Sequence, residues 1–148
     1  MKKFIVLIAG LFLFTLPSTA QEKLLVVYLH GKDSPYYQKI NDKILKNKYL
    51  AKRIHKSFEF YKFQLGTEGA RNFISRYSLE EREGVYFIDP SSGTILYSLT
   101  DLSQPCRCAN LINYFSRKLH KKGIDPEKYV EMAEKIGAYR QKSEDILF

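Results

Sequence analysis

The sequence predicts an α/β fold in which helices flank a four-stranded mixed sheet. Three patterns support this prediction. Residues 24–29 form a continuous apolar run, which is typical of a central strand buried on both faces. Asp33 or Ser34 can then cap a helix that has Pro35 in its first turn. Residues 89–93, Asp-Pro-Ser-Ser-Gly, have the composition of a hairpin turn between two further apolar segments.

The first half of the chain reads as strand, helix, strand, helix. The first helix carries Ile40 and Ile44 at helical spacing and is predicted to end near residues 47–49. Aromatic residues between positions 58 and 65 predict the second strand. The second helix is predicted to begin at residues 66–68. Its apolar side consists of Ala70, Phe73, Ile74 and Tyr77.

The second half reads as a hairpin followed by two helices. Residues 84–88 and 94–99 form the third and fourth strands on either side of the turn. A third helix follows Pro105 and is predicted to stop at Gly123. Asp125 caps a last helix that reaches about Tyr139. The apolar stripe of that helix, which we expect to pack in the core, consists of Tyr129, Met132, Ala133 and Ile136.

Residues 1–20 have the pattern of a secretory signal peptide. A short basic start precedes an apolar run at residues 4–16, and small residues before and at Ala20 fit a cleavage site. The run is short for a membrane span, which needs about 20 residues. We therefore expect a bacterial, exported protein, periplasmic or extracellular, with no membrane span in the mature chain. The predicted division is a signal peptide at 1–20, one domain at 21–122 and a C-terminal helical extension at 123–148.

The charge of the chain gives little guidance to its partner. Removing Lys2 and Lys3 with the signal peptide lowers the formal net charge from +8 to +6. The basic residues are spread along the predicted helices, which is typical of solvated faces. Because export separates the protein from nucleic acid, we expect no nucleic-acid partner.

Two segments resemble the thioredoxin family. Residues 26–37, Val-Val-Tyr-Leu-His-Gly-Lys-Asp-Ser-Pro-Tyr-Tyr, are similar to its first strand, active-site loop and first helix. Residues 84–93 are similar to its third strand and hairpin turn. The resemblance covers residues 24–119 and implies a thioredoxin-like three-layer sandwich with an extra C-terminal helix. It also implies that residues 34–37, Ser-Pro-Tyr-Tyr, stand where the family has its Cys-x-x-Cys motif.

Both motif cysteines are therefore absent. The family's chemistry needs two thiols at spacing i, i+3, the first at a helix N-terminus that favours its thiolate. The hydroxyl of Ser34 has no accessible anion at neutral pH without a strong base, and Tyr37 cannot resolve a mixed disulfide. A hydrolase triad cannot be read from Ser34 and His30 alone. Dithiol exchange at this position is excluded on chemical grounds.

A second departure concerns the cis-proline that the family carries before its third strand, where it shapes a groove for an extended peptide. Glu83 stands close to the matching position, and no proline is present. A cis bond before a residue other than proline costs about 3 kcal/mol. The resemblance therefore does not imply the ordinary peptide-presenting geometry here.

Two cysteines, Cys106 and Cys108, lie at the start of the third helix, on a loop expected to return to the edge that holds Ser34. Arg107 and the helix N-terminus favour a thiolate, but side chains two residues apart on a helix point nearly apart. Three alternatives stay open: a structural disulfide, a redox-active or partner-linking pair, and two reduced, half-buried thiols. With one of the chain's histidines the pair could also bind a soft metal such as Cu(I), although the histidine spacing matches no ligand set.

The sequence thus favours a binding or scaffolding module of the cell envelope that takes a protein or peptide partner. The predicted binding residues are Ser34, Pro35, Tyr36, Tyr37 and Glu83. We expect at least one of the two tyrosines to be exposed, because paired tyrosines suit interfaces. The alternative is a thiol–disulfide oxidoreductase that uses Cys106 and Cys108. No cofactor or metal is predicted, and the oligomeric state is left open.

Overall fold

The computed structural model describes residues 23–145. The predicted signal peptide and the apolar residues 146–148 lie outside the described residues. The sheet in the described part has the strand order β2-β1-β3-β4. Its strands are β1 (Leu24–His30), β2 (Phe58–Gln64), β3 (Gly84–Asp89) and β4 (Thr94–Leu99). β1 pairs parallel with β2 and antiparallel with β3, which pairs antiparallel with β4.

The helices connect and cover these strands. They are α1 (Tyr37–Ile40), α2 (Lys48–Ser57), α3 (Glu68–Tyr77), α4 (Pro105–Ser116) and α5 (Pro126–Asp145). A π-helical turn at Asn41–Leu45 continues α1, and a 3₁₀ turn at Leu119–Lys122 follows α4. This order confirms the predicted four-stranded mixed sheet with flanking helices and an extra C-terminal helix. Across residues 23–145, none of the helices combines the length and the apolar character that crossing a membrane requires.

The first predicted helix differs from the structure. It is interrupted after Leu45, and a separate helix, α2, fills the segment that we left without structure. The side chain of Asn47 accepts hydrogen bonds from the backbone N–H groups of Tyr49 and Leu50, so it caps the new helix. Pro35 lies in the turn before α1 and not inside the helix.

The two faces of the sheet bury different side chains because successive residues of a strand point to opposite faces. Val26 and Tyr28 of β1 belong to the larger core, which packs against α1, α2, α4 and α5. Val27 and Leu29 belong to a smaller core, which packs against α3. The sheet therefore lies between two helical layers, as a three-layer sandwich requires.

Two predictions for the C-terminal part are wrong in detail. The third helix ends at Ser116, since Lys118 adopts a left-handed conformation with φ of 55°, and Gly123 instead closes the 3₁₀ turn. In the last helix, the side chain of Val130 enters the core, and it is 0% exposed. Met132 and Ile136 of the predicted core stripe are 63% and 51% exposed.

Candidate functional site

One edge of the sheet gathers most of the predicted site residues. β1, β2 and β4 end there and β3 begins there, because His30 pairs with Gln64, Leu29 with Gly84, and Val85 with Leu99. The segment after β4 thus returns to the edge that holds Ser34, as the strand order predicted. We call this edge the loop edge; it comprises residues 30–37, 62–67, 80–83 and 100–104.

Ser34 lies at the start of the turn that precedes α1 and is half-buried. Its Oγ accepts a hydrogen bond from the backbone N–H of Tyr36 at 3.2 Å. Its carbonyl oxygen accepts the backbone N–H of Tyr37 at 3.3 Å. Ser34 therefore caps the turn that leads into α1, and its hydroxyl oxygen is engaged with the backbone.

The two tyrosines after Pro35 differ from expectation. Pro35 is exposed, but Tyr36 and Tyr37 are both half-buried and pack against the larger core. The prediction that at least one of them is exposed is wrong. Because both side chains pack against the larger core, each leaves only part of its surface accessible to a partner.

Tyr37 lies at the centre of an aromatic and basic cluster. Its ring centroid is 4.4 Å from that of His30 and 6.1 Å from that of Tyr28. The Nζ of Lys62 lies 3.4 Å from the Tyr37 hydroxyl oxygen and 5.5 Å from its ring centroid. The amide of Asn41, followed by the ammonium of Lys62, holds the pKa of Tyr37 below its usual value of 10.0. The cluster favours a polarised phenol at this edge.

Glu83 lies beside the loop that follows β1. Its Oε1 accepts the backbone N–H of Gly31 at 2.6 Å, a charge-assisted hydrogen bond. A Cβ at Gly31 would lie 3.3 Å from the same oxygen, so the close approach suits glycine. No cis peptide bond occurs within residues 23–145. Glu83, which stands close to the position that we matched to the family's cis-proline, thus binds the backbone of the loop after β1 through its carboxylate.

Tyr28 connects this edge to the interior. Burial, with the Glu83 carboxylate as the next cause, raises the pKa of its phenol. Its hydroxyl is buried without a hydrogen-bond partner among the described residues. Leaving a buried polar group unpaired costs about 1–3 kcal/mol, and such a cost is often retained at a functional position.

The two cysteines are free thiols in different environments. Both lie inside α4, where residues two apart are separated by about 200° around the helix axis. Cys106 is exposed, and it borders a shallow depression with Lys39 and Lys43. Cys108 is 1% exposed in the larger core, and burial raises the pKa of its thiol to about 12. The structure therefore has no disulfide between them. Both thiols are reduced, but one is exposed and the other is buried, so they are not two half-buried thiols.

Arg107, which we expected to favour a thiolate, is paired elsewhere. Its guanidinium forms ion pairs with Glu127 and Glu134 of α5. Within residues 23–145, no three His, Cys, Asp or Glu side chains come together in a group able to hold a metal ion. The copper-binding alternative therefore gains no support from the described geometry.

Some of this site was absent from the sequence-based prediction. His30 was considered as a partner of Ser34 and as one of three possible metal ligands, and Lys62 was not considered. Lys62 belongs to β2 and reaches Tyr37 only because β1 and β2 pair in parallel register. The sequence carries no local motif for such a contact.

Comparison with known proteins supports the fold. No protein-family model matches the chain, and no curated protein matches it in sequence. Among solved structures, a thioredoxin-fold protein from Helicobacter pylori has a TM-score of 0.56 at 15% identity, over 84% of this chain and 86% of that one. A thioredoxin from Thermus thermophilus has a TM-score of 0.51 at 17% identity, over 63% and 73%.

A third structure agrees with these two. The germline-specific thioredoxin Deadhead from Drosophila melanogaster has a TM-score of 0.50 at 14% identity, over 63% of this chain and 81% of that one. At such identities the similarity concerns the fold and does not carry over an activity. Together with the strand order β2-β1-β3-β4, these similarities show that the chain has a thioredoxin-like fold.

Proposed function

We propose that the chain is an exported thioredoxin-like domain that binds a protein or extended peptide of the cell envelope at its loop edge, without dithiol chemistry. The observation that carries this proposal is the position of Ser34 and the hydrogen bond of its side chain. Ser34 lies in the turn before α1, at the position that the resemblance matches to the family's first thiol, and its Oγ accepts the Tyr36 N–H. Electron transfer would need an ionisable sulfur there, whereas recognition does not.

The neighbouring histidine gives Ser34 no activation. Nδ1 of His30 is hydrogen-bonded to the carbonyl oxygen of Gly31 at 3.1 Å. Among the described residues no hydrogen bond joins His30 to Ser34, so a hydrolytic role has no support.

The surface of the loop edge suits a partner with both apolar and charged groups. Partly exposed tyrosine rings offer apolar area with a polar tip. Exposed Lys32 and Lys62 flank them, and Glu83 adds a half-buried carboxylate. Export to the envelope is part of the proposal and rests on the signal-peptide pattern of residues 1–20.

The oxidoreductase alternative is less well supported. A working pair would need two thiols that reach each other, yet Cys106 and Cys108 occupy different sides of α4. At pH 8 a thiol with a pKa of about 12 is ionised in only about one molecule in 10,000. Cys108 is therefore a poor nucleophile in the folded protein.

Site-directed photo-cross-linking tests the binding role. A photoreactive phenylalanine analogue replaces the exposed Pro35 in a variant that also carries Cys106→Ser and Cys108→Ala, and a matched control carries the analogue at the exposed Glu131 of α5. In envelope extract we expect a discrete cross-linked partner from position 35 and none from position 131. Equal cross-linking at both positions, or loss of the partner when the cysteines are replaced, would contradict the proposal.

Thiol titration tests the redox alternative directly. In the native protein at pH 8 we expect one thiol to react with Ellman's reagent, and two after unfolding. Cys106→Ser should remove the fast reaction, and Cys108→Ala should leave it unchanged. If the parent protein reduces insulin and Cys106→Ser abolishes that activity, the binding proposal is wrong.

A further inference from the structure

A second candidate site lies at the opposite edge of the sheet from the loop edge. A cavity of about 400 Å³ opens where β1 begins, β3 ends, and α2 and α4 both end. Leu24 and Phe115 form part of its apolar wall. None of the residues that we predicted for binding lies in it. We call it the basic cavity because of its charged lining.

Four lysines line the basic cavity: Lys23, Lys56, Lys118 and Lys121. Asp89 is the acidic residue of the lining. The C-termini of α2 and α4 add about half a negative charge each. Even without Lys118, three ammonium groups against one carboxylate and two helix ends leave a net positive charge of about one. The basic cavity therefore attracts an anion.

The lysines of the basic cavity are not all neutralised by carboxylates. Oδ1 of Asp89 accepts hydrogen bonds from the backbone N–H of Ser91 at 3.0 Å and from its hydroxyl at 2.6 Å. Nζ of Lys23 donates to the carbonyl oxygen of His55 at 3.0 Å. Within the described part of the chain, no salt bridge joins Lys56 or Lys121 to a carboxylate. These two ammonium groups retain donors for a ligand.

His120 also lines the basic cavity. Its Nδ1 is buried and has no hydrogen-bond partner among the described residues. Buried polar atoms in proteins are nearly always hydrogen-bonded. The unpaired nitrogen is a second, independent indication of a polar ligand at this place.

Among the described residues, the lining of the basic cavity carries four lysines and no arginine. The absence of arginine removes bidentate recognition of either a carboxylate or a phosphate. Lysines act as point charges and suit a compact anion with several acceptor oxygens, such as phosphate. The volume lies near the lower end of the range for small-molecule pockets, about 300–1,000 Å³.

We propose that the basic cavity binds a small ligand that carries a phosphate group, with the phosphate near Lys56 and Lys121 and a short organic part against Leu24 and Phe115. Two sources share this chemistry: a soluble phosphate monoester and the headgroup of an anionic phospholipid. The site is independent of the proposed loop-edge function, because the two occupy opposite ends of β1.

Titration of the purified chain with two probes tests this inference. The soluble probe is glycerol 3-phosphate, with glycerol as the phosphate-free control, followed by backbone amide chemical shifts. The lipid probe is vesicles of phosphatidylglycerol, with phosphatidylcholine vesicles as control, followed by co-sedimentation. The cavity variant is Lys56→Gln with Lys121→Gln. The matched control is Lys128→Gln with Lys135→Gln, two exposed lysines of α5 with the same loss of charge.

We expect saturable binding with shifts confined to the basic cavity, weakened about tenfold or more in the cavity variant and less than about twofold in the control. Binding to the soluble probe identifies a free phosphate ester as the source. Binding to the vesicles alone, lost in the cavity variant only, identifies a lipid headgroup. Absence of binding to either probe, or an equal loss in both variants, overturns the inference.

Discussion

His120 is the residue whose environment most clearly links pH to stability. Burial lowers the pKa of its imidazole below 6.5, the positive charge of Lys121 lowers it further, and Asp89 opposes the shift. Aromatic contacts surround the ring, with the Phe115 centroid at 5.2 Å. Between pH 6.5 and the lower native pKa, the unfolded chain binds a proton that the folded chain does not. The free energy of unfolding therefore falls as the pH falls through this range.

The substitution His120→Gln should reduce that loss. We expect its free energy of unfolding to vary less between pH 7 and pH 5 than that of the parent, because the group that protonates on unfolding is gone. Urea denaturation in phosphate-free buffers measures the slope, so that binding in the basic cavity does not interfere. The exposed His55→Gln serves as a control and should keep the slope of the parent. An unchanged slope in His120→Gln would show that another group carries the acid sensitivity.

The position of single residues at the loop edge was predictable only where a local motif marks it. Ser34 was placed at a helix head because a serine followed by proline after a buried strand is a helix-start pattern. Glu83 was assigned to this edge because it directly precedes the third strand in the sequence. In the structure its carboxylate binds the backbone N–H of Gly31. The approach of Lys62 to Tyr37 depends on strand pairing, so no pattern near either residue indicates it.

At the scale of elements, strands were easier to predict than helices. Apolar runs bounded by turn residues define β1, β3 and β4, because strand burial leaves a continuous signal. Helix α2 was missed because Leu50 and Ile54 are its buried residues and charged side chains cover the rest. The exposed half of the α5 stripe was assigned to the core because periodicity shows that a face is apolar, not how much of it a neighbour covers.

Two glycines in helices should respond oppositely to alanine. Alanine usually stabilises a helix by up to about 1 kcal/mol relative to glycine. At Gly69 in α3, however, a Cβ would lie 2.8 Å from a ring carbon of Phe63, whereas at Gly137 in α5 nothing lies within 4 Å. The Phe63 ring is packed beside Tyr61 and Phe73, so its displacement has a cost.

We therefore expect Gly69→Ala to destabilise the protein by about 1–3 kcal/mol and Gly137→Ala to stabilise it by about 0.5–1 kcal/mol. Urea midpoints followed by circular dichroism measure both changes. Equal stabilisation by the two substitutions would mean that Phe63 moves aside at no cost, which its packing argues against.

At the scale of the whole molecule, the sheet separates two surfaces with different chemistry. The loop edge holds capped backbone, tyrosine rings and a carboxylate bound to Gly31. The basic cavity at the other end holds lysines around an apolar wall. Because the two inner strands, β1 and β3, both reach from the loop edge to the basic cavity, a stable core is a condition for both sites. The last helix, which we predicted as an extension at 123–148 with its apolar stripe in the core, contributes Val130 to that core.

The docking of α5 on the domain can be tested with one buried and one exposed side chain. Val130 lies in the larger core, and the neighbouring Tyr129 ring is 5.5 Å from that of Tyr114. We expect Val130→Ala to lower the free energy of unfolding by about 2 kcal/mol and Met132→Ala to change it by less than about 0.5 kcal/mol. Circular dichroism and tyrosine fluorescence should give coincident transitions in both variants, since the helix unfolds with the sheet. Two separate transitions, with Val130→Ala shifting only the helical one, would make α5 an independent unit.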